Sequence, residues 1–433
     1  MITQKEYVER RKKLASKLPP DSLAIIPAAS EVTRSGDTTY RFRQDSDFYY
    51  LTGFNEPDAL LILTSGNNCK AYLFNLAKDP VQELWTGIRL GQEQALKELG
   101  VNEAFSLNEI EKKLPEIVQD KKAIFYPIGR YQAWEKKIFA AWQEVKMQSR
   151  KGIAAPDSFM DLQPILGEMR LFKSESEIAL MQKAADISVE GHLRAMQKAK
   201  VAQFEYELEA ELIYRFTQGG CRSVAYDPIV AAGANACILH YTQNDKALRD
   251  GELVLIDAGG EYAGYAADIT RTFPKNGKFS SEQKAVYDLV LQAQRAGIEK
   301  VRPGVLWDEI QKIIVEVLTT GLLELGILKP NSLEKEEYKQ FYMHNSGHWL
   351  GLDVHDVGSY KINRQWRPLE EGMVLTVEPG LYIKEDALNV PEAFRGIGVR
   401  IEDDIVVTST GNKNLTGKLA VESSEIEAIV RGA

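Results

Sequence analysis

Cysteine is scarce in this 433-residue chain: Cys69, Cys221 and Cys237 are scattered and form no CxxC pair. An odd, dispersed set argues against a disulfide framework or a thiolate metal site, and fits a reducing, cytoplasmic setting. Long apolar runs are missing as well. Nothing approaches the roughly 18 apolar residues that span a bilayer. The opening MITQKEYVERRKKLASKL is charged throughout and lacks the apolar centre of a signal peptide, so no membrane partner is expected. A basic excess is also absent. Against 62 Asp and Glu stand 53 Lys and Arg, a formal net charge of -9, and a dedicated nucleic-acid binder would show the opposite balance. Nor is the chain disordered in composition, with 44% hydrophobic and 27% charged residues. At this length two domains are the expectation.

What the chain does have is block structure. A charged helical segment (3 to 17) precedes Pro19-Pro20. Short apolar runs follow at 23 to 29, 58 to 63 and 70 to 75, each bounded by Gly, Asn, Pro or Asp, and helical stretches near 92 to 99 and 108 to 119. This predicts a compact α/β domain over 1–171. A second unit, 172–433, begins at Ser174-Glu175-Ser176-Glu177, a capping box. Ile178, Met181, Ala185, Val189, Leu193 and Met196 continue it at helical spacing. A second helix carries Leu208, Leu212 and Phe216 and stops at Gly219-Gly220; two more are expected at 282 to 298 and 307 to 325. Strands are expected at 253 to 257, 266 to 273, 373 to 378 and 398 to 407. Helices and strands in blocks indicate α+β, not a doubly wound sheet.

Those strands carry acids where apolar residues belong. Leu253 to Ile256 reads as a buried strand but ends in Asp257, and Asp268 falls inside the next one. In a hairpin the two would face each other, and adjacent buried anions repel unless a proton or cation intervenes. The plainer reading is a pair of turn-end aspartates satisfied by backbone donors. MVLTVEPG ends a β-branched strand in Glu378, and in GIGVRIEDDIVV Arg400 and Glu402 are two apart, hence on one face.

Histidine is rare too, five in all, yet three fall within MHNSGHWLGLDVHDVG as His344, His348 and His355. The i, i+4 spacing of the first two suggests an HExxH helix, but Asn345 stands where Glu is needed and Ser346-Gly347 is poor helix material. One histidine is therefore expected as a metal ligand, with the others in support. Asp257, Asp268, Glu378 and Glu402 supply four negatives and His348 a neutral nitrogen. Two divalent cations would neutralise that set, about 3.5–4 Å apart in the usual two-metal hydrolase arrangement. The oxygen-rich donors suit Mn²⁺ best; Co²⁺, Fe²⁺ and Zn²⁺ also fit such a site.

DAGGEYAGYAADITRTF, MHNSGHWLGLDVHDVG, TVEPGLYI and GVRIEDDIVV resemble, in order and spacing, the metal-binding segments of the pita-bread metallopeptidases. YRFRQDSDFYYLTGFNEPDALLIL and CILHYTQND narrow the resemblance to the aminopeptidase P (Xaa-Pro aminopeptidase) family. It runs over nearly the whole chain. It implies a curved antiparallel sheet backed by helices, and a smaller N-terminal domain that assembles a homo-oligomer (dimer or tetramer) and limits substrate length. By the same resemblance Asp257 binds one metal, His348 and Glu378 the other, and Asp268 and Glu402 bridge both. A metal-bridging hydroxide would attack the Xaa-Pro bond of peptide substrates, with Glu378 as proton shuttle. His240 and His355 would contact the substrate carbonyl. His344, Tyr382 and Arg400 would line the pocket for the proline ring, which offers no N–H to recognise. Asp37 and Trp85 would lie near the mouth of the site, Trp85 from a neighbouring subunit, although a surface aspartate and a core tryptophan fit those positions equally. His192, on the apolar side of the first C-terminal helix, reads as structural.

Four rival readings share the scaffold. A prolidase, cleaving only Xaa-Pro dipeptides, would carry the same five ligands. A pita-bread scaffold repurposed for binding would lack some of them, as would a metal-independent creatinase-like enzyme. A methionine aminopeptidase would usually lack so large an N-terminal domain.

Overall fold

The computed structural model of the chain describes residues 1–330 and 336–432. These form two compact units, Met1–Arg170 and Leu171–Ala433. In the first, the helix Gln4–Lys17 is capped by the Thr3 side chain and precedes a mixed six-stranded sheet. From edge to edge its strands are Glu103–Ser106, Ala71–Asn75, Leu60–Thr64, Ser22–Pro27, Ala123–Tyr126 and Ser158–Asp161. Leu23, Ile25, Leu60, Ile62, Phe74 and Ile124 meet Leu114, Val118, Ile138 and Val145 of two helices in one core.

In the second unit the capping box at Ser174 and Glu177 is fully formed and starts the helix Glu175–Lys198. The helix Glu205–Gly219 follows, closed by Gly220 in the left-handed region. Ser281–Lys300, itself capped by a Ser280–Gln283 box, and Trp307–Glu324 pack on the sheets through Val286, Val290, Ile314 and Leu318. The strands between are short, and all their pairings are antiparallel.

Two segments that read as single strands are broken. Over 253–273 the sequence suggests a hairpin with Asp257 opposite Asp268. Instead Leu253–Asp257 pairs with Thr270–Pro274 so that Asp257 faces Thr270. Tyr265–Ala266 pairs with Gly260–Tyr262, and Asp268 sits in the gap. The local cause is a close backbone approach: a Cβ on Gly259 would stand 1.7 Å from the Ala267 carbonyl oxygen. Likewise 398 to 407 divides. Ile397–Arg400 pairs with Gly380–Ile383 and Asp403–Val407 with Val374–Val377, leaving Glu402 between them in an isolated bridge to Thr270.

The breaks have a common consequence. Asp257 ends one strand just before Gly260–Tyr262, Asp268 separates Tyr265–Ala266 from Thr270–Pro274, Glu378 separates Val374–Val377 from Gly380–Ile383, and Glu402 lies between its own two strands. Each of the four acids occupies a point where the chain changes sheets. Side chains there are freed from the strict in–out alternation of a strand.

Candidate metal centre

A cavity of about 540 Å³ collects these switch points. Asp257, Asp268, His348, Glu378 and Glu402 all line it, together with His240, His344, His355 and Arg400. Ligand atoms of Asp268, His348 and Glu402 lie within 4.8 Å of one another. His348 Nε2 stands 3.4 Å from Asp268 Oδ2 and 3.7 Å from Glu378 Oε1. Asp257 is joined to Asp268 by Tyr226, whose phenol oxygen bonds one carboxylate oxygen of each.

His348 is placed by backbone. Its N–H donates to Thr376 Oγ1 and its carbonyl accepts from the Thr376 N–H, while the Glu378 N–H donates to the Ser346 carbonyl. The intervening Gly347 is required: a Cβ there would lie 2.1 Å from the Thr376 carbonyl oxygen. Nδ1 of His348 faces the Trp349 carbonyl at 3.0 Å, an acceptor only, so Nδ1 carries a proton and Nε2 is the nitrogen turned to the acids.

A second chain of bonds runs beside it. Arg400 Nη1 donates to the Tyr382 phenol (3.1 Å), which donates to His344 Nε2 (2.8 Å), while His344 Nδ1 donates to the Asn345 carbonyl. Arg400 also bonds Thr270 Oγ1 through Nε and Asp257 Oδ2 through Nη2. Burial pulls His344 down to about 4, helped by the Arg400 charge, and pushes Tyr382 up to about 12. The His355 ring sits edge-on to His348 with centroids 4.3 Å apart.

The acids are short of positive charge. Burial, reinforced by Asp268, Glu378 and Asp257, holds the Glu402 carboxyl well above its ordinary value. Burial likewise raises Asp268, against the hydrogen bond from His348, and lifts Glu378 to about 7. Burial lowers His348, but its bond to Asp268 and the charges of Glu378 and Asp268 prevail and raise it to about 9. Such a buried cluster calls for positive charge, which protons or cations can supply.

Residues 179–409 match the model of metallopeptidase family M24, and residues 7–126 that of the aminopeptidase P N-terminal domain. The chain belongs to metallopeptidase family M24. Over 437 aligned residues it is 46% identical to the Xaa-Pro aminopeptidase of Escherichia coli, covering 100% of this chain and 99% of that protein. Two solved structures superpose throughout. An aminopeptidase of Pseudomonas aeruginosa gives a TM-score of 0.98 at 46% identity, covering 100% of this chain and 98% of the other. Proline aminopeptidase P II of Yersinia pestis gives 0.97 at 49% identity, with both chains fully covered. The architecture is therefore the M24 pita-bread fold behind an aminopeptidase P N-terminal domain.

For an M24 chain, the donor set fits divalent cations: four clustered carboxylates and one imidazole whose Nε2 is turned inward. Asp37 and Trp85 belong to the first unit, Asp37 exposed in the turn between Thr33–Ser35 and Thr38–Thr39, Trp85 83% exposed on the helix Pro80–Thr86. The cavity lining comes from the second unit. His192 is fully buried and bonds the Ala258 carbonyl at 2.9 Å. Sequence reasoning missed Tyr226 and Thr376. Tyr226 reads as an ordinary half-buried aromatic in SVAYDPIV, and only the folded register brings it to two acids. Thr376 alternates within a strand, and its period-2 placement on the same side as Glu378 was the available signal.

Proposed function

We infer that the chain is an Xaa-Pro aminopeptidase that releases the N-terminal residue from peptides with proline in the second position, with divalent cations held at this centre. The carrying observation is the convergence of Asp268, His348 and Glu402, with Asp257 and Glu378 beside them, in a chain 46% identical along its length to such an enzyme. In this reading Asp257 would hold one ion, His348 and Glu378 would hold a second, and Asp268 and Glu402 would serve both. Mn²⁺ is the proposed ion, because oxygen donors dominate and no thiolate is present in the cavity lining. Bound divalent cations make water nucleophilic near neutral pH and polarise a carbonyl.

The chain's own groups supply the rest. Glu378 takes up a proton as water attacks and returns it to the prolyl nitrogen as the bond breaks. His240 and His355 line the same cavity and donate to the substrate carbonyl oxygen as negative charge develops on it. Arg400 and His344 line the cavity as a wall against which the proline ring rests, selected by shape, and the fully buried Tyr382 bonds both from behind instead of lining the pocket itself.

A homo-oligomer, dimer or tetramer, is proposed from the first unit. Val81, Leu84, Trp85 and Ile88 are 64%, 85%, 83% and 84% exposed, an apolar patch that invites a partner. This unit would also limit substrate length. A cytoplasmic location is supported by the few, unpaired cysteines, and no described helix is long and apolar enough to cross a membrane.

The test pairs metal analysis with two substrates. Xaa-Pro-Yaa-Zaa should be cut, chelation should stop it, and Mn²⁺ should restore it. Cleavage of Xaa-Pro dipeptides alone would make the chain a prolidase, and full activity after chelation would overturn the reading.

A further inference from the structure

Glu205 opens the helix Glu205–Gly219 and is 0% exposed. A buried carboxylate is costly unless donors surround it. Here Oε1 accepts from the Ala232 N–H (2.7 Å) and the Asn235 side-chain amide (3.2 Å). Oε2 accepts from the Tyr241 phenol (2.8 Å) and the Lys246 N–H (2.9 Å). All four donors lie on one stretch, 232–246, which leaves the strand Ile229–Ala232 at its last residue and passes through the short 3₁₀ turn Gly233–Cys237. The base of this loop is closed by backbone bonds: Glu205 N–H donates to the Lys246 carbonyl, and Leu248 N–H to that of Gln203.

The loop carries His240. Its ring is exposed and lines the metal-side cavity, so its aim depends on the backbone beneath it. The next residue, Tyr241, is the anchor: its ring packs with Ile229, Ala236, Leu255 and Tyr382, and its phenol ends on Glu205.

We propose that Glu205 is the positioning residue for His240, its carboxylate pinning the 232–246 loop at four points and so fixing the imidazole at the cavity. This rests on the role given to His240 above. The geometry calls for an acid in particular. A glutamine has one acceptor oxygen and one NH₂, so either orientation turns a donor toward a backbone N–H, that of Ala232 or that of Lys246. Glu205→Gln therefore keeps the volume and loses an anchor, while Tyr241→Phe keeps the ring packing and loses another.

The experiment measures kcat and KM on an Xaa-Pro-Yaa-Zaa peptide, with metal content and melting temperature, for the Mn²⁺-loaded full chain. Glu205→Gln should lower kcat about 10- to 100-fold, less than the roughly 100- to 1,000-fold of a transition-state donor removed outright because the imidazole is misaimed and not lost, with KM and metal content little changed. Tyr241→Phe should lose less in the same direction. In a His240→Ala background neither substitution should cost more, because the loop then has nothing to aim. The proposal is overturned by unchanged kcat in folded Glu205→Gln, by its full loss repeating in the His240→Ala background, or by His240→Ala matching the unaltered chain. Should Glu205→Gln fail to fold, the Tyr241→Phe cycle decides alone. Failure of the unaltered chain to cleave is a different result: it removes the Xaa-Pro reading, and this proposal with it.

Discussion

Lys173 and Asp356 form an ion pair, Nζ to Oδ2 2.9 Å, with side chains 0% and 1% exposed. Lys173 stands where the chain enters the second unit, and its N–H donates to the Gly372 carbonyl. Asp356 directly follows His355, and its N–H donates to the Trp349 carbonyl. The pair thus anchors the loop that carries both His348 and His355. Removing one partner strands a charge in the interior. Asp356→Ala should cost roughly 3–5 kcal/mol in unfolding free energy, most of it recovered when Lys173→Met and Asp356→Leu are combined. Urea unfolding of the parent and the two variants checks this; a double variant no more stable than the single one would count against it.

Tyr226 touches Asp257 and Asp268 at once, and its phenol is driven far up, first by burial and then by those two charges. It therefore stays neutral, its single O–H within bonding reach of both carboxylates and donating to one of them at a time. Outer partners of this kind are typically worth about 10–100-fold in metal affinity. Tyr226→Phe should weaken Mn²⁺ binding on that scale, read by competition with a chromogenic chelator, while the melting temperature of the metal-free chain barely moves. Equal affinity in the two proteins would remove Tyr226 from this role.

His192 gives a pH signature away from the metal centre. Burial, opposed by its bond to the Ala258 carbonyl, lowers its pKa to about 4, and its Nδ1 has no partner among the described residues. The unfolded chain takes up this proton near pH 6.5, the folded chain only near 4. The unfolded state therefore binds more protons in between, and the stability His192 contributes above pH 6.5 is lost as pH falls toward 4, on the order of 3 kcal/mol. His192→Gln retains a donor for Ala258 but does not titrate. Metal-free His192→Gln should lose less stability than metal-free parent between pH 7.5 and 4.5 in denaturant titrations. Peptidase activity of the loaded variant should persist, and parallel pH curves would contradict the assignment.

Local signals carried the helices well. The capping box at Ser174 and Glu177 and the stop at Gly219-Gly220 are short-range chemistry, and both are where the spacing puts them. The four acids were visible as polar residues interrupting apolar runs. Their geometry was not, because it depends on which sheet each half-strand joins. Gly259 permits the backbone approach that breaks one ladder and Gly347 the approach that seats His348, and a glycine in sequence does not say what it will touch. Glu205 was hidden for a related reason. In sequence it is one acid among several at a helix start, and its four donors come from residues 232 to 246, joined to it only by the fold.

Glu402 separates what serves stability from what serves chemistry. Its Oε2 accepts from Thr270 Oγ1 (2.6 Å), a bond that a glutamine oxygen reproduces, while its charge faces Asp268, Glu378 and Asp257 in a buried site. Without cations that charge is a liability; with them it is a ligand. Glu402→Gln should therefore leave the chelated protein at least as stable as its parent at pH 8. The same change should abolish Mn²⁺-dependent turnover and the thermal stabilisation that Mn²⁺ gives the parent, about 2.7 kcal/mol at 100 times its dissociation constant. Scanning calorimetry with and without Mn²⁺, beside a peptide assay, reads all three. A chelated variant that melts well below the parent would mean Glu402 is held for structure, and a loaded variant with full turnover would take it out of the ligand set.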